Sequence, residues 1–175
     1  MRASPGIGLA IMSFAMADLP LSDRFGSQLV SVRFAAEAEL GALEDPVVTP
    51  LSLIVVICAG EILMVLDRHR RQWELPGGIR ERGESARQAA SRELAETGIS
   101  AADLGFAAVA GFSLVQSPQR EFAAVYRTML PTAPPLRTNE EIEDFRWWDP
   151  RSPLRDEMSP LDAEIGSRVA SRPVP

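Results

Sequence analysis

From Leu51 to Cys58 the chain reads Leu-Ser-Leu-Ile-Val-Val-Ile-Cys, an apolar run broken by one serine. A short continuous run of this kind, bounded by a turn, suits a strand buried on both faces. Ala59-Gly60-Glu61 supplies the turn, and Ile62 to Leu66 reads as the returning strand of a hairpin. Two further strand-like runs fall at about 105–115 and 121–130, and a short alternating one at Ile142 to Trp148. A different period lies between them. Ser85 and Gln88 stand at the spacing of a capping box, and Ala86, Ala89, Ala90 and Leu94 follow at helical spacing until Gly98 ends the helix. Ser159-Pro160 opens a final helix, with serine as N-cap and proline in the first turn. Leu75 to Gly78 and Pro131 to Asn139 read as loops. Upstream, Phe34 to Leu40 favours a helix, closed off by Asp45-Pro46. The order predicts an α+β fold, a mixed β-sheet sandwiched between α-helices. It divides the chain into a disordered or misassigned leader over 1–20, a helical extension over 21–46 and a main domain over 47–175.

At 175 residues there is room for one domain with a real core. The net charge of −6 argues against a nucleic-acid polymer or an anionic membrane as partner, because both attract basic surfaces. No stretch reaches the ~18 apolar residues a membrane span needs. The apolar stretch Ile7 to Met12 after Arg2 is short and broken by Ser13, so we read it as a leader on a cytoplasmic protein and not as an export signal. Every basic side chain is arginine, which leaves guanidinium forks as the only cationic side chains for holding phosphate. The single cysteine, Cys58, lies in the apolar run and reads as a small core residue.

The chemistry concentrates in Gly77-Gly78-Ile79-Arg80-Glu81-Arg82-Gly83-Glu84 and Arg92-Glu93-Leu94-Ala95-Glu96. On a helix Glu93 and Glu96 share a face, and two neighbouring carboxylates repel each other unless a cation lies between them. Oxygen-rich clusters of this kind suit Mg²⁺ or Mn²⁺. The glycine loop lets backbone approach a metal or phosphate without a Cβ in the way.

This segment resembles the Nudix box, G-x5-E-x7-R-E-U-x-E-E-x-G-U, with U a bulky aliphatic. Gly78, Glu84, Arg92, Glu93, Leu94 and Glu96 fall at its offsets, after a lead-in Trp73-Glu74-Leu75-Pro76-Gly77. The box is one residue short: Thr97-Gly98-Ile99 follows Glu96, and in unbroken helical register Thr97 takes the place of the last glutamate, usually a metal ligand. The resemblance implies the Nudix fold and hydrolysis of a phosphoanhydride bond in a nucleoside diphosphate linked to another group, with a nucleoside triphosphate as default substrate. It implies Mg²⁺, or Mn²⁺, held by Glu93, Glu96 and the Gly77 carbonyl. Arg92 would orient Glu93, Glu84 and Gly78 would support the metal site, and Glu141 would be the base. Many members dimerise, so a homodimer is compatible with the resemblance. The shortened box leaves open an alternative, a domain that binds nucleotide without turning it over.

Other residues carry two readings. Arg68 and Arg70 suit either a phosphate clamp or an exposed hairpin exit, the latter slightly favoured. Trp73, Trp147 and Trp148 could stack a base, but at least two of the three are expected in packing. His69, with no second histidine to join it, is expected to face solvent.

Overall fold

The computed structural model describes residues 16–41, 45, 47–100, 103–155 and 157–173. Residues 1–15, most of the expected leader, lie outside them. The described chain forms β1 (Leu21–Ser22), β2 (Gln28–Phe34), β3 (Leu51–Cys58), β4 (Glu61–Asp67), β5 (Gln72–Glu74), β6 (Gly77–Ile79), α1 (Ala86–Glu96), β7 (Gly105–Ser113), β8 (Arg120–Leu130), β9 (Ile142–Trp148) and α2 (Pro160–Ala170). Among the described residues no helix is long and apolar enough to cross a membrane.

The strands make one mixed sheet ordered β1-β2-β7-β8-β3-β4-β5, with β6 beside β3 and β9 beside β4. β3 runs parallel to β8 along its whole length, Leu51 opposite Ala123 through Cys58 opposite Leu130. Its nearly continuous apolar character follows from that central place: Leu53, Val55 and Ile57 enter one core, Ile54 and Val56 the other. The first core is closed by Leu161, Ala163, Ile165 and Val169 of α2. The second is closed by Ala86, Ala90 and Leu94 of α1, whose alanines let the helix lie close to the sheet. The sandwich of a mixed sheet between two helices is therefore as expected.

Both helix starts are capped as read. Ser85 accepts from the Gln88 amide while the Gln88 side chain takes the Ser85 amide, and Ser159 accepts from the Asp162 amide with Pro160 in the first turn. Gly98 ends α1 at φ +90°, a left-handed position open to glycine.

The expected helical extension over 21–46 is corrected. Residues 21–34 form β1 and β2, and β2 joins β7 antiparallel. A register shift between Leu29 and Ser31 turns Leu29, Val32 and Phe34 onto the α2 core, so burial against the sheet outweighs local helix propensity. Among the described residues of this stretch only Glu37–Glu39 winds, as a single 3₁₀ turn. The loop expected at Leu75–Gly78 also changes: Gly77–Ile79 pairs with Leu51–Leu53. That pairing splits the sheet locally. β3 meets β4 only at Ile57–Cys58 against Glu61–Ile62, while β6 takes the place beside its other end. A cleft opens where the two strands part.

Candidate active site

The cleft has a volume of about 920 Å³ and runs from the box helix across β6 to the start of α2 and the β1–β2 turn. At one end stands Arg92. Its Nε and Nη2 donate to the two carboxylate oxygens of Glu84 at 2.8 and 3.0 Å. Its Nη1 donates to Glu93 at 2.7 Å and to Glu96 at 3.3 Å, and Nη2 also reaches the Ile79 carbonyl at 3.1 Å. One planar guanidinium thus gathers three carboxylates from the loop and the helix, a geometry that lysine could not supply. Arg80 closes the loop from behind, donating to the Glu84 carbonyl at 2.7 Å and to the Thr49 carbonyl at 3.3 Å.

Gly78 explains why the loop is glycine-rich. A Cβ there would collide with the Glu93 carboxylate, which lies directly against the Gly78 backbone. At Gly77 a Cβ would run into the Ser52 carbonyl of β3. The two glycines have different tasks: Gly77 lets β6 join the sheet, and Gly78 makes room for Glu93.

The electrostatics divide the carboxylates. The Arg92 guanidinium holds Glu84 below the usual carboxylate range and is itself pushed further up by the contact. Burial pushes Glu93 up, Arg92 opposes that, and the charges of Glu96 and Glu141 add to the rise. Glu141 is exposed on the cleft wall, its amide held by the Asn139 side chain at 2.9 Å and its carbonyl by the Arg68 amide at 2.8 Å.

The structure brings Glu84, Arg92, Glu93, Glu96, Gly77, Gly78 and Glu141, all singled out in the sequence, into one region. Arg70 also lines the cleft, but its guanidinium is engaged by Glu74 at 2.7 Å and Asp67 at 3.3 Å. Arg68 does not line it; it faces the Asn139 carbonyl and lies 4.0 Å from Glu143. Thr97 has a second, structural task. It follows Glu96 in helical register and lines the cleft, yet it is fully buried and its hydroxyl donates to the Leu94 carbonyl at 2.7 Å, closing the helix. Trp73 and Trp148 are core residues, His69 is exposed, and Cys58 is buried, as read.

The sequence reading missed the far end of the cleft. There Glu74 faces Asp162 at the start of α2. Burial, reinforced by the Asp162 charge and opposed by Arg70, pushes the Glu74 carboxyl up to about 8. Burial pushes Asp162 up as well, against hydrogen bonds from Ser159 and the Leu75 amide. Glu74 belongs to the lead-in of the box, but Asp162 lies 88 residues further on, and only the fold brings the two together.

The cleft walls carry nine carboxyl groups (Asp23, Asp67, Glu74, Glu81, Glu93, Glu96, Glu121, Glu141 and Asp162), of which burial pushes Glu74 and Asp162 toward the protonated form, and two guanidiniums (Arg70 and Arg92). A polyphosphate entering such a field needs cationic compensation, and the all-oxygen donors around Gly78 are those that a hard divalent cation takes. Among the described residues no three acidic, histidine or cysteine side chains converge as a ready-made metal cage. Arg92 Nη1 holds the place between Glu93 and Glu96. The residues fit a cation bound jointly with its phosphate ligand, the usual habit of Mg²⁺.

A family model described as the NUDIX domain matches residues 48–169. No curated protein matches the chain. Among solved structures, a MutT NUDIX hydrolase from Burkholderia pseudomallei superposes with a TM-score of 0.56 at 20% identity, covering 69% of this chain and 93% of that one. A MutT protein from Methanosarcina mazei Go1 gives 0.55 at 19% identity, covering 68% and 90%. The dihydroneopterin triphosphate pyrophosphohydrolase of E. coli gives 0.51 at 22% identity, covering 57% and 80%. These likenesses establish a shared fold.

Proposed function

The chain belongs to the NUDIX domain family, and on that premise we propose that it is a pyrophosphohydrolase that cleaves a phosphoanhydride bond in a nucleoside diphosphate linked to another group, a nucleoside triphosphate being the default, with Mg²⁺ or Mn²⁺. The observation that carries this reading is the gathering of Glu84, Glu93 and Glu96 by Arg92 at the mouth of a cleft large enough for a nucleotide.

In this reading the phosphates lie against the Gly77–Gly78 backbone and the box helix. Glu93, Glu96 and the Gly77 carbonyl would hold the metal. The chemistry that a bound divalent cation supplies is neutralisation of phosphate charge and acidification of the attacking water. Arg92 fixes the direction of Glu93, and Glu84 fixes Arg92. The water oxygen forms a new bond to phosphorus, the bridging P–O bond breaks, and the released phosphate carries away the electron pair. Glu141, exposed on the cleft wall and close enough to Glu93 to raise its proton affinity, takes the proton that the water gives up.

A second reading, a nucleotide-binding domain with slow or no turnover, draws on Thr97: α1 offers the cleft two glutamates where the box specifies three. Phosphate or pyrophosphate release from a nucleotide panel with Mg²⁺ or Mn²⁺ separates the two. Hydrolysis by the parent, reduced about 100-fold or more in Glu93→Gln, supports the enzyme. Tight binding with no release in either protein supports the sensor, and equal rates in both remove Glu93 from the mechanism.

A further inference from the structure

Phe25 lies outside the stretch that the family model matches, yet it lines the same cleft as the box helix. It is 53% exposed, a large apolar surface left in water at the rim of a polar cavity. The turn that carries it is firmly built. The Asp23 carboxylate accepts from the Phe25 amide at 2.8 Å and the Ser27 amide at 2.9 Å, and the Asp23 amide donates to the Ser27 carbonyl at 2.9 Å. Gly26 turns the chain at φ +87°. Arg24 then ties the turn across the cleft edge, Nη2 donating to the Arg70 carbonyl at 2.9 Å, while its guanidinium carbon stands 4.8 Å from the centre of the Phe25 ring.

An exposed ring on a rigid turn, lining a cleft whose other end gathers phosphate-type machinery, is a pre-formed stacking surface. The inner wall at this end carries the carboxyls of Glu74 and Asp162, engaged by Arg70 and by Ser159 and the Leu75 amide. An aromatic face at the rim of this polar wall suits a planar ring.

We propose that Phe25 is a specificity residue, a platform on which the planar heterocycle of the substrate stacks, so that the cleft selects a base-bearing diphosphate over a bare one. This rests on the hydrolase reading above and adds which end of the substrate lies at the β1–β2 turn. Selectivity then comes from residues upstream of the family-matched region, while the bond-breaking residues lie within it.

The test compares parent, Phe25→Ala and Phe25→Trp in steady-state hydrolysis of a nucleoside triphosphate, and in equilibrium binding of a nucleoside diphosphate and of inorganic pyrophosphate. Base–aromatic stacking is worth enough that Phe25→Ala should raise KM and the nucleotide Kd by about tenfold, with a much smaller fall in kcat. Phe25→Trp should restore nucleotide affinity, and pyrophosphate binding should match the parent in all three. An unchanged nucleotide Kd in Phe25→Ala overturns the proposal and leaves the hydrolase reading standing. So does an equal loss of pyrophosphate binding, which would mark a structural effect. A shift from dimer to monomer with affinity unchanged assigns the ring to a contact between two copies and overturns it too. A parent that neither binds nor hydrolyses any nucleotide overturns the hydrolase reading, and this inference with it.

Discussion

Arg92 grips Glu84 with two parallel hydrogen bonds, Nε at 2.8 Å and Nη2 at 3.0 Å, and leaves Nη1 for Glu93. The glycine loop and the box helix are thereby locked together through one side chain, with Arg92 only 27% exposed. Lysine would keep the charge but lose the fork, so it could satisfy Glu84 or Glu93 but not both. Arg92→Lys should lower kcat by about 10- to 100-fold, the scale seen when an orienting partner of a metal ligand is removed. The fold should survive, because the contact lies at the cleft and not in the core. Kinetics beside circular dichroism checks both halves.

The two adjacent glycines should fail differently. In Gly78→Ala the new methyl meets the Glu93 carboxylate, a side chain that can move, so the protein should fold with Tm within a few degrees of the parent while activity drops sharply. In Gly77→Ala the obstacle is the Ser52 carbonyl, which is backbone, and relief requires parting β6 from β3. That variant should lose stability first, by roughly 1–3 kcal/mol. Thermal melts and rates measured on both proteins separate the two modes.

Most of this architecture is written locally. β3, β4, α1, β7, β8, β9 and α2 each carry their own period and caps, and the box residues converge because they sit on one loop and one helix. The N-terminal strands were not legible, because Gln28–Phe34 becomes a strand only by pairing with β7, more than 70 residues away, and a register shift hides its alternation. Asp162 was missed for the same reason: nothing near it in sequence marks it as a neighbour of Glu74. Arg70 carries two readings in the sequence, a phosphate clamp or the slightly favoured hairpin exit; its engagement by Asp67 and Glu74 is visible only in the fold.

Glu74 should make stability depend on pH. Its folded carboxyl titrates near 8, because burial and the Asp162 charge outweigh the attraction of Arg70, against an ordinary value of 4.5. Between those limits the folded state holds a proton that the unfolded chain releases, so this group's contribution to stability falls as pH rises from 4.5 through 8. Asp162, also pushed up, acts in the same direction. Glu74→Gln, which cannot ionise, should melt higher than the parent at pH 8.5 and converge with it near pH 5. A parent whose melting temperature fell no faster than that of the variant over this range would show Glu74 ionised throughout.

Thr97 tests how the shortened box is to be understood. If it stood in the metal site, Thr97→Glu would restore the missing carboxylate, lower the Mg²⁺ concentration needed for half-maximal rate and raise activity. The structure predicts the reverse. Thr97 is fully buried at the end of α1, its hydroxyl on the Leu94 carbonyl and its own carbonyl taken by the Arg137 amide at 2.9 Å. A carboxylate there loses its water and the bond that closes the helix on the Leu94 carbonyl, so Thr97→Glu should cost roughly 3 kcal/mol or more, with no gain in metal affinity. Thr97→Val removes one hydrogen bond and should cost about 1 kcal/mol, with the rate nearly unchanged. Urea unfolding gives the stabilities and Mg²⁺ titration of the rate gives the metal requirement. A lower half-maximal Mg²⁺ concentration in Thr97→Glu would mean that a carboxylate at this position reaches the metal.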